Sequence, residues 1–446
     1  MLTRAAKVMG AAFALSCSLG LATASDLDGV KRGGTLTVGS YQAPRHLNGA
    51  VQSGFATAIP STQLFASLVR FDDEWNPQPY LATSWEWSDD DKTLTLQLRD
   101  DALFHDGEPV TSEDVAFSIM AVKNNHPFQP MMAAIDTVET PDPHTVRIHL
   151  HNPHPALLIA LSPTLTPILP KHIYDDGQDI KTHPRNMDEI IGSGPFKFKS
   201  FQQDEEVVLE RFDDFFIEER PYLDKIIIKF NPDITTLLMS LERGDLQMVP
   251  YASDPIQLSR AQDNDDIVLI DKGYEGIGSI AWLAINTERE PLNDNRVRQA
   301  IAYALDKDFI NQALTAGFAQ PAIGPIHSSS PYAMETNQYE LDLDKANQLL
   351  DEAGLKANDQ GERFKLTFDI MPGVPALNKN LAEYARSQLK KIGIQVELRA
   401  HADFSSWAKR MADHDFDIST DTAWNWGDPV IGVNRTYLSS NIKNIV

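Results

Sequence analysis

The stretch from Arg99 to Val122 constrains the fold more than any other, because it reads as strand end, tight turn and capped helix in one continuous run. Leu94, Leu96 and Leu98 lead into it with the period of two of a half-buried strand. His105-Asp106-Gly107 is turn chemistry, with the glycine free to take positive φ. Thr111 stands three residues before Asp114, so a hydroxyl and a carboxylate satisfy the orphan N–H groups of a new helix whose apolar face is Val115, Ile119 and Val122. Read by spacing alone, this stretch is scaffold and carries no chemistry.

The amino terminus gives an address. Arg4 and Lys7 precede an apolar run from Val8 to Leu21, and Ala22-Thr23-Ala24 is a small-residue cleavage pattern, so residues 1–24 read as a secretory signal peptide. Cys17 is the single cysteine and lies inside that leader. Cleavage after Ala24 therefore leaves no thiol for disulfides, zinc sites or nucleophilic catalysis. Ala14-Leu15-Ser16 ahead of Cys17 fits a lipid-attachment motif poorly. No later run reaches the length of a membrane-spanning helix, since the apolar stretch from Ala156 to Pro170 is broken by prolines. The formal charge of −24 grows more negative when Arg4 and Lys7 leave, which argues against nucleic acid or an anionic membrane surface as partner. A chain of 446 residues also exceeds a single core, so two lobes are expected.

Taken in order, Gly33-Gly34 opens a strand over Thr35–Val38, and a loop at Ser40-Tyr41-Gln42 follows, a place where residues often line a cleft. Tyr41 is therefore a candidate ligand contact. A helix is expected over Ser61–Val69 and a hairpin over Ser84–Arg99, turning at Asp89-Asp90-Asp91. From Asn286 the texture becomes alternating helix and strand, the pattern of an α/β lobe with parallel strands. Val297, Ala300, Ile301 and Ala304 share one helix face, and Phe364, Leu366, Phe368 and Ile370 alternate as a strand.

Two glycine-rich segments look like phosphate loops and are not. Gly192-Ser193-Gly194-Pro195 and Gly276-Ile277-Gly278 both run into strands, whereas a phosphate loop opens a helix. His144, His149, His151 and His154 form the one metal-like cluster, and His149 and His151 share a face of the strand Thr145–Leu150. With no carboxylate fixed beside them in sequence, they read as a strand end facing solvent, with a weak metal alternative at His149 and His151. No cofactor is expected.

The strongest site candidate follows a strand over Phe416–Ser419. It carries Asp421, Trp424, Asn425, Trp426 and Asp428 within Asp421–Pro429. In an open α/β sheet, ligands bind beyond the carboxyl ends of strands, and tryptophan on a polar loop calls for something that stacks on it. A Trp pair packed in the lobe core is the competing explanation. No H-E-x-x-H or G-x-S-x-G occurs, and Asp213-Asp214 sits in a loop without an identifiable third partner, so a secreted hydrolase is the weaker reading.

R-x-x-x-x-F-H-D-G-x-P-V-T-x-E-D-V-x-F-S, beginning at Arg99, resembles the signature of the extracytoplasmic solute-binding proteins of family 5. These are the dipeptide, oligopeptide and nickel receptors of bacterial ABC importers. Gly192–Phe198 and the segment Asn293–Asp308 resemble the same family. The resemblance implies a two-lobed α/β periplasmic-binding-protein fold, class C-like, with an extra subdomain in the first lobe. On that pattern lobe I covers 25–280, with an inserted mixed α/β subdomain at about 71–190, and lobe II covers 281–446. It implies a monomeric periplasmic receptor and not an enzyme. Such a receptor closes on a peptide or peptide-like solute and delivers it to an inner-membrane ABC permease with its ATPase subunits.

Peptide receptors of this type carry D-x-G-D-P, whose first aspartate holds the ligand's ammonium; aligned on Gly427-Asp428-Pro429, that position is Asn425. Either Asp421 supplies the charge, or the solute is a blocked peptide, an opine-like conjugate, an oligosaccharide or a metal chelate. The resemblance also leads us to expect lobe II to be incomplete at Val446, because family members continue further.

Overall fold

The structure is a computed structural model that describes residues 31–437 and 439, apart from 272, 274–276, 329, 331, 337, 373–374 and 425. The leader and Cys17 lie outside the described residues, as does Asn425.

The first half of the chain builds two sheets around one apolar core. Strand β1 (Thr35–Ser40) is followed by helix α1 (Phe55–Leu64) and a short pair, β2 (Val69–Phe71) with β3 (Pro77–Pro79). An antiparallel sheet follows, in the order β4 (Ala82–Trp87), β5 (Thr93–Leu98), β7 (Thr145–Leu150), β6 (Ile135–Asp142), with helix α2 (Ser112–Asn125) between β5 and β6. Strands β8 (Phe196–Gln202), β9 (Glu206–Arg211) and β10 (Lys225–Phe230) then return to β1, in the order β1-β10-β9-β8 with β1 parallel to β10. Leu94, Leu96 and Leu98 point into the core, as their alternation requires. At the start of α2 the Thr111 amide donates to Asp114 Oδ2 at 2.8 Å. The other Asp114 oxygen accepts the Lys171 amide at 2.8 Å, so the cap also anchors a distant loop.

The Gly192–Gly194 turn is a close-approach device. A Cβ at Gly192 or Gly194 would overlap the backbone carbonyls of Leu64 or Gln63 at the end of α1, so only glycine lets the two segments touch. His105 locks the same turn: its Nδ1 accepts the Gly192 amide at 3.1 Å while Nε2 lies 3.0 Å from the Gly194 carbonyl. The expected helix over Ser61–Val69 lies earlier, at α1, because Phe65–Leu68 packs extended into the core and Val69 pairs with Pro79.

The second core is one mixed sheet, in the order β11 (Ser279–Ile285), β14 (Ile418–Trp424), β12 (Phe364–Ile370), β13 (Ile394–Ala400). Helices α3 (Asn295–Tyr303), α4 (Leu343–Glu352) and α5 (Pro375–Lys391) bury their apolar stripes with Leu366, Phe368, Ile394 and Ile418. Strand β12 is parallel to β13 and β14, but β11 is antiparallel to β14, so the lobe is not the all-parallel sheet its texture suggests.

Alternation makes the two faces unlike. Phe368 pairs with Ile418 on the apolar face, and Asp369 pairs with Ser419 on the other. That second face is polar, and helix α6 (Phe404–Ala412) covers part of it, with the Trp407 indole donating to Ser419 Oγ at 2.9 Å.

The chain crosses between the cores twice, and the crossings touch. It enters the second core along β11 and leaves it after β14. From there it turns back so that Ile431 is buried in the first core with Trp426 and Val430 packed against it. A final short helix, α7 (Val433–Tyr437), follows.

Candidate ligand-binding site

The strand before the candidate site is longer than its sequence suggests. It runs to Trp424, so Asp421 and Trp424 are strand residues and do not sit on a loop after it. The physical reason is long-range pairing: β11 supplies a ladder partner for every residue from Ile418 to Trp424.

Register then separates the candidates. Asp421 lies opposite Trp282 and Trp424 opposite Ser279, and the three-residue offset puts Asp421 and Trp424 on opposite faces of the sheet. Asp421 is half-buried, and its Oδ1 accepts the Thr422 amide at 2.7 Å. Trp426 takes a positive φ of 53° and its ring meets Phe128 of the first core edge-on at 5.6 Å. Its backbone therefore belongs to the crossing and its side chain to the first core. The Trp426 indole Nε1 is buried with no acceptor among the described residues.

Asp428 is buried, and its hydrogen bonds are those of a turn. Its Oδ1 accepts the Val430 amide at 2.7 Å, and its carbonyl accepts Ile431 at 3.1 Å and Gly432 at 3.3 Å. These bonds hold the return into the first core. Its charge also reaches His154. Burial lowers the pKa of that imidazole, against the opposing effects of the Met131 carbonyl, 2.8 Å from Nε2, and of Asp428.

Tyr41 sits just past β1 in a run of rings, 4.9 Å from Phe55, which is itself 5.0 Å from Tyr251. Met248, three residues before Tyr251, bridges Val38 in parallel, so Tyr41 and Tyr251 both mark carboxyl ends in the first sheet. Burial raises the Tyr41 phenol above its usual range, against a hydrogen bond to Ser253.

Sequence reasoning missed a charge cluster on the polar face of the second sheet. Asp369 is 0% exposed. Its Oδ2 accepts Arg399 Nη2 at 2.8 Å, while its Oδ1 lies 2.8 Å from His401 Nε2 and 3.4 Å from Arg410 Nε. The available signal was the polar set Lys365, Thr367 and Asp369 alternating with the apolar residues of β12. Trp282, which no motif marks, is the cross-strand neighbour of Asp421.

The histidines do not converge. His149 lies 3.2 Å from Glu139 and 3.1 Å from the Thr93 hydroxyl, whereas His151 lies 3.5 Å from Asp136. No group of three or more His, Cys, Asp or Glu side chains among the described residues is arranged to hold a metal ion. Among those residues, too, no helix is long and apolar enough to cross a membrane.

Comparisons with known proteins bear on this arrangement. A family model described as bacterial extracellular solute-binding proteins, family 5 Middle, matches residues 76–444. The dipeptide-binding protein of Escherichia coli (strain K12) is 28% identical over 406 residues, covering 85% of this chain and 74% of that protein. Two solved structures are similar throughout. The oligopeptide-binding protein AppA from Bacillus subtilis, in complex with a nonapeptide, has a TM-score of 0.75 at 27% identity, covering 93% of this chain and 83% of its own. The binding protein AgaA from A.tumefacien R10, in complex with agropinic acid, has a TM-score of 0.72 at 29% identity, covering 88% and 78%.

Proposed function

The chain belongs to family 5 of the bacterial extracellular solute-binding proteins, and on that premise we propose that it is the substrate-binding receptor of an ABC importer for a peptide or peptide-like solute. In this reading the receptor works in the periplasm as a monomer, released from its signal peptide. It hands its cargo to an inner-membrane permease with ATPase subunits and catalyses nothing. The lobes divide near residue 280, a division that the separate apolar cores support, and the inserted subdomain at about 71–190 shares the first of those cores.

The observation that carries the reading is the ribbon of two crossings. Asp421, Trp424 and Trp426, with Asn425 between them in sequence, lie where the chain passes from one core to the other. A solute held there touches both walls, so it binds the closed arrangement better than the open one. That differential affinity is what drives hinge closure.

Native mass spectrometry of the protein purified from cells tests the proposal. A bound mass that sequences as a short peptide is the expected result, whereas a bound mass without peptide bonds overturns it. A second reading, an opine-like conjugate, draws support from Asn425, which offers a dipole where peptide receptors of the family place a carboxylate.

A further inference from the structure

Trp282 and Asp421 are direct cross-strand partners between β11 and β14, which puts both side chains on one face of the sheet with Cβ atoms about 5 Å apart. The ring of Trp282 is half-buried and rests edge-on against Tyr437 at 6.0 Å. Its indole Nε1–H is buried, with no acceptor among the described residues. A buried indole N–H ordinarily finds an acceptor, and one left without it costs about 1–3 kcal/mol. Trp407, on helix α6 over the same polar face, follows that rule by donating to Ser419. Trp282 departs from it beside the one carboxylate on the crossing ribbon that faces its own side of the sheet.

An anion and a hydrogen-bond donor side by side are complementary to a cation and an acceptor side by side. An α-amino group followed by a carbonyl has that arrangement, with nitrogen and oxygen about 3 Å apart across three bonds. This step rests on the ribbon being the solute site. We infer that Trp282 is a specificity-determining residue. Its indole N–H donates to the first carbonyl oxygen of a solute whose α-ammonium lies on Asp421, so the class selected is the free amino-terminal aminoacyl group. The ammonium contact is thus placed on β14 itself, directly opposite Trp282.

The test uses the full mature chain, alanine peptides from di- to penta-alanine, and the variant Trp282→Phe, which keeps a ring against Tyr437 and removes the donor. Calorimetry measures affinity, and the indole ¹⁵N–¹H resonance absent from the variant identifies the Trp282 signal in the parent protein. The expected result is a downfield shift of that resonance on peptide addition, with binding weaker on the order of tenfold in Trp282→Phe and an unfolding midpoint that does not fall. If an alanine peptide binds the parent protein, its indole resonance stays in place and Trp282→Phe binds equally well, the inference is overturned while the peptide reading stands. If none of the peptides binds the parent protein, the peptide reading falls and this inference falls with it.

Discussion

The backbone amide of Trp426 donates to the carbonyl of Ile277 at 3.0 Å, and this one bond ties the two crossings together beyond the last paired residues, Ser279 and Trp424. The β11–β14 ladder is thereby extended out of the second core towards Phe128 of the first. Relative motion of the cores must bend this ribbon, so the residues on it are the ones that sense whether the protein is open or closed.

Peptide addition is expected to make the particle more compact. Small-angle scattering on the mature protein with and without penta-alanine checks this; an unchanged radius of gyration would count against closure. Phe128→Ala, which removes the ring under Trp426, should loosen the docked turn and weaken the peptide-dependent change without altering the second core.

Asp421→Asn removes the charge on the ribbon while keeping the side-chain shape. Affinity for alanine peptides with a free amino terminus should fall by about 1–2 kcal/mol, the difference between a charged and a neutral hydrogen bond. Binding of the N-acetylated peptides should not change. Calorimetry with both peptide forms distinguishes an ammonium contact from general damage, which would weaken both.

Burial lowers the pKa of His105 from 6.5 to about 4, against the opposing effect of the Gly194 carbonyl beside Nε2, and the neutral ring leaves Nδ1 free to accept the Gly192 amide. The unfolded chain binds this proton more readily than the folded one. The contribution is therefore whole above about pH 6.5 and shrinks as pH falls towards 4, by up to about 3 kcal/mol. Urea midpoints measured at several pH values in this window should slope downwards on acidification. The slope should flatten in His105→Gln, and the same slope in both proteins would rule His105 out as its source.

Gly194→Ala places a methyl group against the carbonyl of Gln63, a backbone atom that cannot swing aside. A loss of about 3 kcal/mol is expected from overpacking, concentrated in the first core. Hydrogen exchange should show early opening around α1 and β8 with β12 and β13 still protected; uniform protection would disprove the close-packing account.

Asp369→Asn leaves Arg399, Arg410 and His401 around a neutral amide that is itself fully buried. Breaking a buried ion cluster from one side costs about 3–5 kcal/mol, and here the second core should take the loss. Thermal unfolding that remains as cooperative and as late as in the parent protein would refute this.

Local chemistry determined a good deal of this molecule. The alternation of Leu94, Leu96 and Leu98, the turn at Asp106-Gly107 and the Thr111–Asp114 cap each depend on neighbours within a few residues. So do the helix face Val297, Ala300 and Ile301 and the strand beginning at Phe364. All of them were legible in order along the chain. The resemblance carried by Arg99–Ser118 also led to the family that the comparisons bear out. What only the tertiary structure decided was register and adjacency. A period of two says that Asp421 and Trp424 face opposite ways only once both are known to be strand, and β14 extends that far because β11, more than a hundred residues earlier, pairs with it. Asp428 is a ligand-contact candidate by its place after the strand, and its part in the return turn, with Oδ1 accepting the Val430 amide, showed only in the folded chain. The meeting of Trp282 with Asp421, and of Arg399 and Arg410 on Asp369, joins residues that share no local pattern. Such neighbours are selected by packing over the whole sheet, which no short window of sequence records.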